Sequence, residues 1–247
     1  MHPKAWYYKH RMKSNKVLYR MPLLEEERRQ RSYYPAKLQD MTWRIFRIMA
    51  EFVEGFQFLA ESTKEVSIFG STRFKETDPW YVEARKLGRL LAKGGYTVIT
   101  GGGPGIMEAA NRGVFEKDGQ SLGLNIQLPS EQRANPYLTR GHDFHYFFTR
   151  KVMLAAAAQA YVFFPGGFGT LDEATELITL IQTKKMQPIP IILVGKDFWQ
   201  PFLDWIGGTL VKKYKTIRED DMATFQLVDT AEEAFRIIRK APDRSFF

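Results

Sequence analysis

Cysteine is absent from the 247 residues, which excludes disulfides and thiolate chemistry and fits a reducing compartment. No apolar run approaches the roughly 18 residues that a membrane-spanning helix needs. The first residues are basic and aromatic and lack the apolar core of a signal peptide, so the expectation is a cytoplasmic protein with no membrane partner. Histidine is scarce, with four in the chain, and His142 and His145 form one H-x-x-H pair without further ligands. No metal is implied. The P-loop pattern GxxxxGK[ST] does not occur. The run GGGPGIME at 101–108 fails the dinucleotide spacing GxGxxG, because Ile106 and Glu108 stand where a third glycine would be. A G-x-S-x-G nucleophile elbow is also missing.

Positive charge is unevenly placed. Residues 1–40 hold ten Lys/Arg and four Asp/Glu, a net +6 of the total +8, which leaves +2 for residues 41–247. The body is nearly neutral and the basicity belongs to an N-terminal arm. Such an arm suits a partner subunit, acidic lipid or nucleic acid. No helix-turn-helix or RNP-type aromatic motif supports specific nucleic-acid recognition, so a nucleic-acid partner is not expected.

Hydrophobic residues make up 44% of the chain, enough for a sizeable core. Trp43, Phe46, Met49, Phe52, Val53 and Phe56 recur at helical spacing and predict an amphipathic docking helix over 41–62, its aromatic stripe turned to the core. From residue 63 to 247 short apolar runs alternate with helix-compatible segments. Strands are expected at 65–70, 96–99, 120–127, 143–148, 160–164, 190–194 and 225–228. Helices are expected at 79–93, from after Glu108 to about 117, 149–158, 171–184, 198–214 (interrupted near Gly207 and Gly208) and 230–239. That alternation specifies an α/β, Rossmann-like parallel sheet with helices on both faces, plus the N-terminal arm and helix.

The chemistry concentrates at strand ends. PGGFGTLDE at 165–173 follows the apolar run 160–164 and leads into a helix. A strand that breaks into such a turn aims backbone N–H groups and the positive helix end at one point, an anion site. Gly166, Gly167 and Gly169 are expected to adopt positive φ and admit a ligand closely, with Phe168 between them. Thr170 is expected to cap the helix and donate a hydroxyl hydrogen bond. A second glycine turn, with Gly102, Gly103 and Gly105, follows Ile99, and Ser71 lies in the turn after the first strand. Ligands of open α/β sheets sit at this edge, so two such turns together indicate a phosphate-bearing ligand. Glu173 and Glu176 share one helix face beside it. Arg150 and Lys151 follow the fourth strand and suit phosphate or a developing negative charge.

These segments together resemble the Lonely Guy (LOG) family, whose members have often been labelled possible lysine decarboxylase. The resemblance rests on GGGPGIMEAAN at 101–111, on Arg150-Lys151, and on PGGFGTLDE, with 23 positions separating Arg150 from Glu173, and it covers about residues 65–240. The helix containing Trp43 to Phe56 looks like an N-terminal extension of some bacterial members. The resemblance implies a cofactor-free, homodimeric phosphoribohydrolase. Such an enzyme cleaves the N-glycosidic bond of a nucleoside 5′-monophosphate, a cytokinin riboside monophosphate or an AMP-like nucleotide, to free base and ribose 5-phosphate. Arg150 and Glu173 match the family's catalytic pair, residues 166–173 its nucleotide-binding loop, and Glu131 a further substrate contact. Thr149 departs from the glutamate that plant members carry before the Arg-Lys pair. Molybdenum-cofactor carriers built on this fold give the alternative, a non-catalytic carrier or sensor of a phosphorylated ligand. The decarboxylase label would need a lysine Schiff base to pyridoxal phosphate, and nothing singles out Lys151, Lys184 or Lys185 for it.

Overall fold

The computed structural model describes residues 38–127, 134–156, 158–242 and 244. The basic arm, apart from its last three residues, and Glu131 lie outside them. Two compact units are distinguished, Met1–Ile45 and Phe46–Phe247. Of the first unit the described part is helical, the opening turns of α1 (Leu38–Leu59).

In the second unit seven strands form one parallel sheet. They are β1 (Glu65–Phe69), β2 (Thr97–Thr100), β3 (Ser121–Ile126), β4 (Arg140–Phe144), β5 (Ala160–Phe163), β6 (Ile191–Val194) and β7 (Phe225–Val228). Their order is β4-β3-β2-β1-β5-β6-β7. The helices between them are α2 (Pro79–Lys93), α3 (Ile106–Phe115), α4 (Phe147–Ala156), α5 (Phe168–Gln182), α6 (Lys196–Trp205) and α7 (Ala231–Lys240). The chain builds outward from β1 through β2 to β4, then returns to the other side of β1 with β5. The switch point therefore lies between β1 and β5, where this class of sheet opens a crevice at its carboxyl edge.

The strand pattern explains why both faces are covered. In β5, Ala160 and Val162 join one buried cluster with α2, α3 and α7, while Tyr161 and Phe163 join another with α4, α5 and α6. The same alternation divides Ile192 and Val194 from Ile191 and Leu193 in β6. The central strands β1, β2, β5 and β6 are buried at every position, as a doubly covered parallel sheet requires. Helix boundaries follow local chemistry. Pro79 opens α2, and Lys93 closes it near the negative helix end. Thr230 and Glu233 form a reciprocal capping box at α7.

Three expectations need correction. The fourth strand runs over Arg140–Phe144 rather than 143–148, because its register pairs Arg140 with Leu122 and Phe144 with Ile126. Residues 147 and 148 already belong to α4. The helix after Gly195 does not stop at the two glycines; α6 continues as π-helical turns over Ile206–Lys213. The aromatic stripe of α1 is not core. Phe46, Met49, Val53 and Phe56 are 43–57% exposed and Trp43 67%, and of that stripe Phe52 alone packs on the core. α1 faces the sheet domain instead through Glu51, Phe52, Gly55, Phe58 and Leu59, a neighbouring face at the same helical period. No helix among the described residues is long and apolar enough to cross a membrane.

Candidate active site

A cavity of about 1060 Å³ opens at the carboxyl edge of the sheet, over the ends of β1, β2 and β5. Backbone hydrogen bonds join the three strand ends that frame it. The Ser71 N–H donates to the Pro165 carbonyl at 3.0 Å, and the Ser71 carbonyl accepts from the Ile106 N–H at 3.0 Å. Ser71 thus ties both glycine turns to the first strand, and its hydroxyl accepts from the Arg73 N–H at 3.1 Å.

The first turn rests on a buried polar network. The Thr100 hydroxyl donates to Asn111 Oδ1 at 2.7 Å and accepts from the Gly102 N–H at 3.0 Å. Asn111 in turn donates to Ser121 Oγ at 2.8 Å. Asn135 Nδ2 lies 3.1 Å from the carbonyls of both Gly102 and Gly103. With its donors and acceptors engaged, such a network holds one loop conformation. Thr100 and Asn135 were not singled out from the sequence; their partners Asn111, Gly102 and Gly103 lay within a recognised motif.

The second turn presents a helix end. Gly167 occupies the N-cap of α5 and no side chain caps it, so the first-turn N–H groups are left to a ligand. Two expectations change here. Thr170 is the third helical residue and is 7% exposed, so it does not cap the helix. Gly166, Gly167 and Gly169 do not take positive φ; Gly167 is extended, with φ −94° and ψ −157°. Gly166 is needed for close packing, since a Cβ there would stand 2.1 Å from Thr170 Oγ1. Phe168 is 92% exposed and stands at the cavity rim.

Arg150 and Glu173 reach the same cavity from α4 and α5. Two backbone carbonyls, one within β3 and one just after β2, hold the guanidinium. Arg150 Nε donates to the Leu124 carbonyl at 2.6 Å, and an Nη lies 3.4 Å from the Gly101 carbonyl. Burial works against its charge and the nearby Glu173 carboxylate supports it. Glu173 is the sixth residue of α5, beyond the first turn in which a helix dipole acts most strongly on an acid. Burial pushes its carboxyl up to about 7. Lys151 and Arg150 oppose that rise, whereas Glu176 and Asp172 add to it. A carboxyl poised near neutrality in a cleft beside a cation is the arrangement that acid–base catalysis requires.

The remaining candidates divide. Ser71, Gly102, Gly103 and Lys151 line the cavity together with residues 166–170. Gly105 and Glu176 do not line it. Lys151 Nζ lies 2.7 Å from Asp172 and 2.7 Å from Glu176. Burial opposes the lysine's charge, but hydrogen bonds to those two carboxylates outweigh it and push its pKa up. Glu176 therefore supports Lys151, and the lysine's charge is already paired. Asn125, Asp197 and Phe198 were missed, although Asn125 lies near the end of β3, Asp197 and Phe198 follow β6, and the strand-end rule reaches all three. Trp80, from the start of α2, carried no signal.

A family model described as possible lysine decarboxylase matches residues 107–238. The chain belongs to that family, the LOG family. Over 168 residues it is 31% identical to a cytokinin riboside 5′-monophosphate phosphoribohydrolase of Oryza sativa subsp. japonica, covering 64% of this chain and 60% of the rice protein. It is 25% identical over 182 residues to the pyrimidine/purine nucleotide 5′-monophosphate nucleosidase of Escherichia coli K12, covering 67% of this chain and 40% of that protein. It thus spans less than two thirds of either relative's length. The crystal structure of TM1055 superposes with a TM-score of 0.54 at 27% identity, covering 72% of this chain and 99% of that one. A molybdenum cofactor binding protein of Rippkaea orientalis superposes with a TM-score of 0.55 at 19% identity, covering 72% and 96%. At that identity the likeness shows the fold alone.

Proposed function

We propose that this LOG-family chain hydrolyses the N-glycosidic bond of a nucleoside 5′-monophosphate, releasing the free base and ribose 5-phosphate. The observation that carries this reading is the placement of Glu173, with its pKa raised to about 7, beside Arg150 in one cavity with the uncapped start of α5. The names of the rice and E. coli relatives support it. The helix start and Ser71 receive the 5′-phosphate. Glu173, ionised, faces the ribosyl carbon as positive charge develops there and accepts a proton from the attacking water. The C1′–N bond breaks with its electron pair going to the base, and the water oxygen bonds to C1′. Arg150 offsets the negative charge that gathers on the departing base. Lys151 remains paired with Asp172 and Glu176 and keeps α4 and α5 in register.

Incubation with AMP, GMP, CMP and isopentenyl-AMP, with released base followed by chromatography, tests the reading. Base and ribose 5-phosphate are expected in equal amounts from at least one nucleotide. Saturable binding without base release from any of them would replace the enzyme by a carrier. Across the relatives' names the base differs, so the panel also assigns it. The proposal includes a homodimer, checked by sedimentation of the full chain.

A further inference from the structure

We infer that Glu51, from the N-terminal helix and outside the segment that matches the family model, is a positioning residue for Arg150. Its carboxylate sits on the start of α4. Oε1 accepts from the His145 N–H at 2.6 Å, and Oε2 accepts from the Tyr146 N–H at 3.3 Å. Oε2 also forms a short hydrogen bond with the Thr149 hydroxyl, and Thr149 is fully buried. The connection to Arg150 is direct along the backbone, because the Tyr146 carbonyl accepts from the Arg150 N–H at 3.3 Å. An acceptor with negative charge at a helix N-terminus satisfies orphan N–H groups and complements the positive helix end. In most helices a residue just before the first turn does this locally; here the carboxylate comes from nearly 100 positions upstream.

Glu51 is itself held in place. One turn later, a Cβ at Gly55 would lie 2.7 Å from Met153 Sδ and 3.2 Å from a Phe144 ring carbon, so the α1 backbone packs closely against side chains of α4 and β4 there. Further on, the Arg140 guanidinium lies 4.5 Å over the Phe58 ring and pairs with Glu61 at 2.8 Å. At the opposite end of α4, Arg244 donates to the Ala155 carbonyl at 2.9 Å. The helix that carries Arg150 is thus clamped by an acid at its start and a base at its end, each from outside the β1–β7 frame. α1 is part of the catalytic scaffold rather than an appendage to it.

This inference rests on the proposed role of Arg150, and its test separates the two. Glu51→Ala, Glu51→Gln and the exposed control Glu54→Ala are made in the full chain. Kinetics are measured below the unfolding midpoint of each variant, and amide exchange is followed over residues 145–151. Glu51→Ala is expected to lower kcat about tenfold or more, with KM within about threefold, since small misplacements of a reacting group cost rate before affinity. Exchange at 145–151 is expected to accelerate while β1 and β5 keep their protection. Glu51→Gln, which retains one accepting oxygen, recovers part of kcat, and Glu54→Ala matches the parent. A Glu51→Ala variant with parental kcat, or with kcat lost only in proportion to unfolded protein, overturns the inference. If the parent chain hydrolyses none of the nucleotides, the functional reading falls alone. Unchanged exchange at 145–151 in Glu51→Ala then decides against Glu51 as well.

Discussion

The two glycine turns look alike as strings of letters and serve opposite purposes. In the first, Gly102 and Gly105 have φ of +70° and +71°. A Cβ at Gly105 would stand 2.3 Å from the Ser71 carbonyl oxygen, and one at Gly102 would stand 1.6 Å from Asn125 Oδ1. These glycines answer to the protein's own atoms, backbone at Gly105 and the Asn125 side chain at Gly102. In the second turn neither Gly167 nor Gly169 has positive φ, and a Cβ at either would meet nothing within 4 Å. Nothing in the fold requires these two to lack a side chain. Their bareness keeps open the approach to the start of α5, as a ligand needs. In the second turn only Gly166 is fixed by packing, on Thr170, while Gly167 and Gly169 leave the start of α5 open.

The comparison can be broken at four points. The largest effect belongs to Glu173, downstream of the open turn. Glu173→Ala is expected to lower turnover about 10²–10⁴-fold or more while the melting temperature holds, because it removes acid–base chemistry rather than packing. Near-parental turnover of every hydrolysed nucleotide would remove Glu173 from the mechanism. Next comes Gly105→Ala in the closed turn. Strain at positive φ together with the clash on Ser71 should cost about 2–4 kcal/mol, roughly 5–15 °C in Tm for a chain of this length. Calorimetry showing an unshifted Tm would erase the distinction between the turns.

Gly167→Ala should do the reverse. Its Tm is expected to stay with the parent, while KM for a nucleotide rises about tenfold, equivalent to about 1.4 kcal/mol of lost ligand contact. A stability loss without any change in KM would place this glycine with the first kind.

The smallest effect is a pH dependence. The Glu173 carboxyl is raised from 4.5 to about 7 by burial, so between those values the native state holds a proton that the unfolded chain has released. Stability contributed by the neutral form is present below about 4.5 and is lost as pH rises through about 7. Glu173→Gln has no proton to lose. Its Tm advantage over the parent should therefore be larger at pH 8 than at pH 5, by about 2–4 °C for each kcal/mol. An equal difference at both pH values would mean that Glu173 is not desolvated. The sign is opposite to that of Glu116, whose carboxyl is held down to about 2. There burial works against the charge, but Arg85 and Arg89 outweigh it, so acid costs stability at that site instead.

Much of this protein was legible in its residues because the relevant physics is local. Seven short apolar runs separated by helical periods imply a doubly covered parallel sheet, and strand ends with glycines point to the edge where the cavity opens. Arg150 and Glu173 were singled out beside those ends, and both line that cavity. Four other features were decided by tertiary structure. The exposed stripe on α1 has the same periodicity as a buried one, so only docking determines which helix face turns inward, and Gly55 and Glu51 settle that through contacts on α4. Lys151 reads as a phosphate ligand until Asp172 and Glu176 are placed within hydrogen-bond reach of it. The glycines of the two turns share a residue type but not a reason, since φ and the atoms around a missing Cβ are properties of the assembled loops. Glu51 carried no motif, because a cap supplied from nearly 100 residues away leaves no local pattern. Sequence by itself determined which elements form and which residues can do chemistry. Their orientation, pairing and proton affinity depended on which groups the fold brought together and how far it removed them from water.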